Sequence, residues 1–216
     1  MYEKHSWYFP DMDTHFVEML DKNIRKGFKP VYQEPVRNKS LQYVTQKVVA
    51  LDIGANIGLW SRDLAQQFEQ VIAFEPVAEF RDCLIKNVLS SNIEIRPYAL
   101  GPEDTTINMV ITEGNTGHSH VDSNTVGNGV IDMWRLDSLD FDRIDYIKID
   151  CEGYELSILN GAEQTIKHHK PVIVVEQKLH KDTGITEDTQ YGSVDLLKSW
   201  GMTELARVNA DCILGW

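Results

Sequence analysis

The sequence predicts an α/β protein with an open, mostly parallel β-sheet, and two patterns support this prediction. Short apolar runs that suit buried strands occur at residues 48–53, 71–74 and 171–175. Segments with apolar residues at helical spacing follow the first two runs. Parallel strands need a crossover connection, which is usually a helix, so this alternation is typical of an α/β sheet.

The first apolar run ends in a loop of small residues. Residues 48–53 read Val-Val-Ala-Leu-Asp-Ile, and the loop residues that follow include Gly54, Ala55, Asn56 and Gly58. A helix is predicted next, with apolar residues at Ile57, Trp60, Leu64 and Phe68. Ligands of open α/β sheets bind at the carboxyl ends of the strands, where glycine lets the backbone approach them. We therefore expect this loop to bind a ligand.

The composition of the loop indicates which ligand it suits. A pyrophosphate site would carry Gly-x-Gly-x-x-Gly, whereas this loop reads Gly-Ala-Asn-Ile-Gly after Asp52, and residues 50–61 contain no Lys or Arg. A cationic ligand without phosphate fits better, and S-adenosylmethionine, with its sulfonium and ammonium groups, is the candidate. An ordinary tight turn is the alternative interpretation.

An acid ends the next predicted strand. Glu75 follows residues 71–74 and lies 21 residues after Gly54 (75 − 54). An acid at this distance can accept hydrogen bonds from both hydroxyls of an adenosine ribose. After a third strand, Ile93–Ile95, we expect Tyr98 and Ala99 to lie beside the adenine, although an aromatic residue there could simply pack.

The fourth strand, Ile144–Asp150, also ends on an acid, and Glu152 lies in the loop behind it. Both acids are predicted to face the same crevice as Asp52 and Glu75, because the carboxyl ends of parallel strands meet at one edge. Four carboxylates repel one another unless a cation or shared protons offset the repulsion. This arrangement again favours a cationic ligand.

Residues 102–130 interrupt the alternation. A strand is predicted at Thr106–Ile111, and the turn-forming residues that follow, including Asn124–Gly129, predict a loop that could carry substrate contacts. His118 and His120 lie in this loop. Two histidines at this spacing without a nearby third ligand do not make a metal site, so no metal is predicted.

The remaining elements complete an α/β domain. An amphipathic helix carries Val77, Phe80, Leu84 and Val88. A fifth strand is predicted at Pro171–Glu176 and a last helix at Tyr191–Trp200. The strands Met202–Val208 and Asp211–Leu214 are joined by two residues, which predicts an antiparallel hairpin.

Residues 1–40 differ from the main domain, predicted at residues 41–216. Aromatic residues crowd this segment at Tyr2, Trp7, Tyr8, Phe9 and Phe16. Asp13 or Thr14 could cap a short helix after them. The segment is predicted to act either as a lid over the site or as an arm that docks onto the domain or onto a second copy, which would give a homodimer.

Composition excludes several classes of protein. The 216 residues carry a net charge of −12 without a basic patch, which argues against a nucleic-acid partner. No apolar run approaches the roughly 20 residues that span a bilayer, and the N-terminus lacks the apolar core of a signal peptide. These features predict a cytoplasmic protein without a membrane partner. Cys83, Cys151 and Cys212 are expected to be reduced packing residues.

Taken together, these motifs resemble the FkbM family of class I S-adenosylmethionine-dependent methyltransferases. The resemblance rests on Val49–Leu59, Val71–Pro76 and Ile147–Glu155, with weaker support from Lys170–Glu176. It implies a Rossmann-like fold, a seven-stranded sheet with the last strand antiparallel, and helices on both faces. It also implies methyl transfer to an oxygen of a small molecule, commonly a sugar or polyketide hydroxyl.

The resemblance implies roles for particular residues as well. Asp52, Gly54 and Glu75 would contact the cofactor, and Asp150 and Glu152 would lie beside its methionine end or the acceptor. The candidate bases for the acceptor proton are Asp150, Glu152, His118, His120 and Glu176. A nicotinamide-dependent oxidoreductase is the alternative chemistry, although Asn56 replaces an expected glycine. A catalytically inactive adenosine-binding domain is the third possibility.

Overall fold

The computed structural model of the protein describes residues 1–121, 129–177 and 187–216. In chain order, its strands are β1 (Tyr2–Lys4), β2 (Trp7–Phe9), β3 (Val49–Ile53), β4 (Gln70–Phe74), β5 (Ile93–Arg96), β6 (Ala99–Leu100), β7 (Thr105–Val110), β8 (His120–Val121), β9 (Gly129–Trp134), β10 (Tyr146–Ile149), β11 (Val172–Glu176), β12 (Thr203–Val208) and β13 (Asp211–Gly215). Its α-helices are α1 (His15–Arg25), α2 (Glu34–Ser40), α3 (Ser61–Leu64), α4 (Ala78–Asn87), α5 (Glu155–Asn160), α6 (Glu163–His169) and α7 (Glu187–Ser199).

Seven of these strands form the main sheet, in the order β12-β13-β11-β10-β3-β4-β5. The five strands from β11 to β5 are parallel. The last strand, β13, is antiparallel to both of its neighbours. The predicted seven-stranded, mostly parallel sheet with an antiparallel last strand is therefore confirmed, as is the closing hairpin.

Alternating side chains of the sheet bury two apolar cores. In β3, Leu51 belongs to the core that includes Ile158 of α5 and Leu197 of α7. Its neighbour Ala50 points to the opposite core, which includes Leu84 of α4. Because successive side chains of a strand face opposite sides of a sheet, helices must cover both faces. The prediction of helices on both faces of the sheet is confirmed.

Two predicted helices have different bounds in the structure. The helix expected from Ile57 is only the four-residue α3, preceded by turns. Asn56 and Gly58 have left-handed backbone angles, with φ of 50° and 87°, which a right-handed helix cannot contain. The apolar stripe is nevertheless buried as predicted. The last helix, α7, begins at Glu187 instead of Tyr191.

Residues 99–134 contain a second sheet, which includes part of the loop predicted within residues 102–130. Its strand order is β6-β9-β7-β8. The predicted strand in this region is confirmed as β7, but the prediction of a loop is wrong at β8 and at the first residues of β9. β6 and the rest of β9 were not predicted as strands. Within the predicted Gly/Asn-rich loop, residues 122–128 lie outside the described part of the chain. The small sheet packs above the start of α4, where Met109 joins Val77 and Phe80.

The N-terminal segment packs against the main domain. Its buried residues Trp7, Phe9 and Phe16 form one apolar cluster with Ile57 and Cys83. Of the two predicted capping residues, Thr14 holds the N-cap position of α1 but makes no side-chain cap hydrogen bond, whereas the Asp13 carboxylate accepts one from the Phe16 amide at 3.2 Å. The aromatic residues of this segment therefore serve at least as a docking surface on the domain.

Two further sequence predictions can be compared with the structure. Cys83, Cys151 and Cys212 are all unpaired thiols, as expected. Across the described ranges, none of the helices combines the length and apolar character needed to cross a membrane.

Candidate active site

A cavity opens at the carboxyl ends of the parallel strands β3, β4 and β10. Cavities in this position hold small-molecule ligands in α/β proteins. The structure brings eight of the sequence-predicted residues to its wall: Gly54, Asn56, Glu75, Tyr98, Ala99, His120, Asp150 and Glu152. Asp52, Ala55, Gly58, His118 and Glu176 do not line it.

Glu75 lines this cavity and is only 4% exposed. Its Oε2 accepts a hydrogen bond from the Asn56 amide and its Oε1 one from the Val77 amide, both at 2.8 Å. Burial raises the pKa of Glu75 to about 7, although these hydrogen bonds oppose the shift. Each oxygen keeps a lone pair for a ligand, so the carboxylate can accept two further hydrogen bonds.

Aromatic rings lie near Glu75 in the same cavity. Tyr98 packs between Phe74 and Trp134, with ring centroids 5.8 Å from each. Its hydroxyl accepts a hydrogen bond from Arg96 at 3.1 Å. The rings of Phe74 and Tyr98 therefore offer a rigid apolar wall beside the carboxylate, which suits a flat heterocycle.

The glycines of the loop after β3 are needed for close packing. A Cβ on Gly54 would overlap the carbonyl oxygen of Asp150 and lie 2.8 Å from the Sγ of Cys151. A Cβ on Gly58 would lie 3.1 Å from Leu84 of α4. The lack of a side chain at Gly58 therefore lets this loop pack against α4. At Gly54 it lets the loop after β3 contact the loop after β10.

Asp52 is fully buried behind this loop. It accepts a hydrogen bond from the Ser61 hydroxyl at 2.6 Å and lies 3.4 Å from the Nζ of Lys148 on the neighbouring strand. Lys148 also donates to the Gly54 carbonyl at 2.9 Å and lies 3.9 Å from Asp150. Burial opposes the charged lysine, but the charges of Asp52 and Asp150 outweigh burial and raise its pKa. This network holds the two loops together.

Three carboxylates meet beyond this lysine. Oxygens of Asp150, Glu152 and Glu176 all lie within 4.8 Å of one another, so the described residues bring together a group that could hold a cation. Burial raises the pKa of Asp150 well above its usual value. Lys148 opposes that rise, and the charges of Glu176 and Glu152 add to it. The carboxylate of Asp150 is therefore more basic than an ordinary one.

A fourth acid shapes the loop after β10 from behind. Glu155 is buried and accepts hydrogen bonds from the amides of Cys151 at 2.8 Å and Gly153 at 3.2 Å. Burial raises its pKa to about 7. Glu155 thereby fixes the loop in which Glu152 has a left-handed φ of 51°.

The two histidines have different environments. His120 lines the cavity, and its Nδ1 lies 2.9 Å from the carbonyl oxygen of His118. His118 is exposed on a short 3-10 turn, where its ring lies 6.3 Å from that of His15. Of the two candidate bases in this region, only His120 is at the cavity wall.

A smaller cavity borders the first one. The two share five lining residues: Gly54, Asn56, Gly117, Asp150 and Glu152. Phe16 and Tyr32 of the N-terminal segment line the smaller cavity, together with Ala55 and Lys148. The two cavities therefore form one crevice that runs from Glu75 to Tyr32.

Sequence reasoning missed Lys148, Tyr32 and Glu155 as parts of this region. A lysine within the apolar run of β10 was a usable signal, because an unpaired charge is rarely buried in a strand. Nothing in the local sequence around Tyr32 indicates its position.

Sequence comparison now decides the family. A model of the "Methyltransferase FkbM domain" matches residues 52–201, which is more than half of the chain. The chain belongs to the FkbM methyltransferase family. S-adenosylmethionine is accordingly its expected cofactor. No match was found among curated protein sequences.

Solved structures share the fold of this FkbM-family chain. Methyltransferase FkbM from Methylobacillus flagellatus KT is 21% identical over 79% of this chain, with a TM-score of 0.56. This chain spans 44% of that protein's length. A Geobacter sulfurreducens methyltransferase has a TM-score of 0.51 and is 12% identical, covering 96% of this chain and 89% of its own. A Streptococcus mutans protein in complex with S-adenosylhomocysteine has a TM-score of 0.50 and is 8% identical, covering 85% of this chain and 97% of its own.

The FkbM match begins at Asp52 and so includes the loops that carry Glu75, Asp150 and Glu152. Residues 1–51, which supply Phe16 and Tyr32, precede it. The crevice is therefore built partly from the family domain and partly from a segment outside the match.

Proposed function

We propose that this protein transfers the methyl group of S-adenosylmethionine to a hydroxyl oxygen of a small molecule. One observation supports the proposal: a single crevice is lined both by Glu75, whose carboxylate could accept hydrogen bonds from ribose hydroxyls, and by the basic carboxylate of Asp150. Sugars are one class of hydroxyl compound that such a site could take. Nucleic acid is not an expected acceptor, because the chain is strongly acidic.

The described residues suit the cofactor. Glu75 would accept the ribose hydroxyls, and Tyr98 and Ala99 would border the adenine. The backbone of Gly54 and Asn56, together with Asp150, would surround the methionine end. When bound, S-adenosylmethionine supplies an electrophilic methyl group on a sulfonium.

Three other residues that were predicted to contact the cofactor do not line the larger cavity. Asp52 and Gly58 keep the loop in place from behind. Ala55 lines only the smaller cavity.

The protein's own part in the reaction is to hold the acceptor hydroxyl and accept its proton. Methyl transfer of this kind needs the nucleophile within about 3–3.5 Å of the methyl carbon. Asp150 is the proposed base, since its raised pKa increases its basicity, and Glu152 is its partner. His120 is a second candidate at the wall, whereas His118 would need the loop to move.

A binding experiment tests the cofactor assignment first. Isothermal titration calorimetry should show heat with S-adenosylhomocysteine and none with NAD. Heat with NAD alone would favour a nicotinamide-dependent oxidoreductase and reject the methyltransferase proposal.

A labelling experiment then tests the reaction. Incubation with methyl-labelled S-adenosylmethionine and fractionated extract should produce a labelled compound whose new methyl group is an ether. Cofactor binding without any labelled product would support an inactive adenosine-binding domain, and a labelled amine would reject transfer to oxygen.

A further inference from the structure

The N-terminal segment closes the end of the crevice that the family domain leaves open. Phe16 lies in α1 and Tyr32 just before α2, and their rings meet edge to face with centroids 5.5 Å apart. Both line the smaller cavity, as do Gly54, Asp150 and Glu152. Side chains from the first 40 residues therefore share a cavity with the proposed reaction centre.

Several contacts hold this wall in position. The buried Asp13 carboxylate accepts hydrogen bonds from the Thr116 amide at 3.2 Å and the Thr116 hydroxyl at 3.0 Å. Arg37 donates to the carbonyl oxygen of Tyr32 at 2.7 Å and forms an ion pair with Asp63. The wall is thus attached on one side to the loop above the cavity and on the other to the main domain.

We propose that the smaller cavity is the acceptor subsite and that Tyr32 contacts the acceptor there as a specificity-determining residue. This inference rests on the proposed function. In this proposal, the residue that recognises the acceptor lies in a segment that precedes the matched family domain. The residues that bind the cofactor, Glu75 and Tyr98, lie within that domain.

The environment of Tyr32 decides what its hydroxyl can do. Burial raises its pKa well above the usual value, and the charges of Asp150, Glu176, Glu152 and Asp211 raise it further. The phenol therefore stays protonated and acts as a hydrogen-bond donor, not as a base. A donor in the same cavity as the basic Asp150 can help to orient a hydroxyl group of the acceptor, while Phe16 offers an apolar surface to the acceptor's carbon frame.

The test places a fluorine label on Tyr32. Replacing this residue alone with 3-fluorotyrosine gives a ¹⁹F resonance that reports on the ring's surroundings. S-adenosylmethionine and S-adenosylhomocysteine differ only in the transferred methyl group and its charge. If Tyr32 faces the reaction centre, its resonance should differ between the two saturated complexes. Tyr43 labelled in the same way is the matched control, because its hydroxyl bonds Leu205 away from the crevice, and its resonance should not differ.

A second variant tests whether the Tyr32 hydroxyl contributes to cofactor binding. Tyr32→Phe should bind S-adenosylhomocysteine within about threefold of the unmodified protein, since the phenol does not hold the cofactor. A Tyr32 resonance identical in both complexes, or a loss of affinity beyond about tenfold in Tyr32→Phe, would overturn the inference. Failure of the unmodified protein to bind either compound would instead reject the proposed function.

Discussion

At the residue scale, Glu75 combines a buried position with two backbone hydrogen bonds. Burial raises its pKa to about 7, so a large fraction of the free protein carries a neutral Glu75 near neutral pH. Hydrogen bonds from ribose hydroxyls would stabilise the ionised form and lower the pKa in the complex. Linkage then requires affinity to be highest above pH 7 and to fall as the pH drops below it.

Cofactor binding should therefore depend on pH through Glu75. The affinity for S-adenosylhomocysteine should rise between pH 6 and pH 8, as measured by calorimetry. Glu75→Gln should bind more weakly by about 1.5–3 kcal/mol at pH 8 and should lose this pH dependence. Glu155→Gln is the control, because Glu155 has a similarly raised pKa but lies outside the cavity wall. Affinity that is independent of pH in the unmodified protein would contradict the role of Glu75.

The proposed base can be tested by substitutions that keep shape and remove charge. Once an acceptor is identified, Asp150→Asn should lower kcat by about 10²–10⁴ while changing cofactor affinity little. Glu152→Gln should have the larger effect only if Glu152 is the base. Cys151→Ser is the control between them, because its thiol lines the same cavity without a proposed role. An inactive, folded Cys151→Ser variant would show that the wrong residues were chosen.

At the element scale, the junction between β3 and β10 depends on one glycine. Gly54 has φ of 76°, and a side chain there would overlap the backbone after β10. Gly27 has a nearly identical φ of 78°, but a Cβ added there would meet no atom within 4 Å. A side chain at Gly27 would therefore cause backbone strain alone, whereas a side chain at Gly54 would cause backbone strain and steric overlap.

Alanine substitution at Gly27 and at Gly54 should lower the free energy of unfolding by different amounts. Gly27→Ala should reduce the free energy of unfolding by about 1 kcal/mol through its left-handed backbone alone. Gly54→Ala should cost about 1–3 kcal/mol more, because backbone atoms must also move. Urea denaturation measures both values. Equal costs would mean that the two loops are not in close contact.

Elements with strong local patterns were predictable from sequence. The runs at β3, β4 and β11 are apolar and bounded by polar or turn residues, so their strands were found. β9 was not found, because Gly129 and Asp132 dilute its apolar pattern and its pairing with β7 joins residues distant in sequence. The helix that contains α3 was predicted to begin too early, because Asn56 adopts a left-handed backbone that its sequence alone does not require.

Only the part of the candidate site that lies at strand ends was predictable from sequence. Glu75 and Asp150 end strands of the sheet, so topology alone carries them to the cavity. Tyr32 reaches it through packing of the N-terminal segment, which no local pattern describes. His120 and His118 differ in exposure because of a short turn, and sequence spacing cannot indicate which of them faces inward.

At the scale of the whole molecule, the N-terminal segment is part of the folded body. Trp7 is 5% exposed and packs in the cluster that includes Ile57 and Leu59 of the main domain. Its ring also lies 4.5 Å from the guanidinium of Arg62. Since this cluster joins both parts, we expect the segment and the main sheet to unfold in one cooperative transition.

Truncation of single tryptophans tests this expectation. Trp7→Ala should lower the free energy of unfolding by about 3–5 kcal/mol, because it empties a buried site. Trp216→Ala is the control, since that ring is 42% exposed, and it should cost less than about 1 kcal/mol. The readout is urea denaturation followed by far-ultraviolet circular dichroism, which reports mainly on the helices and the large sheet. If Trp7→Ala left that transition in place, the segment would be an independently attached arm, and its side chains could not form a fixed wall of the crevice.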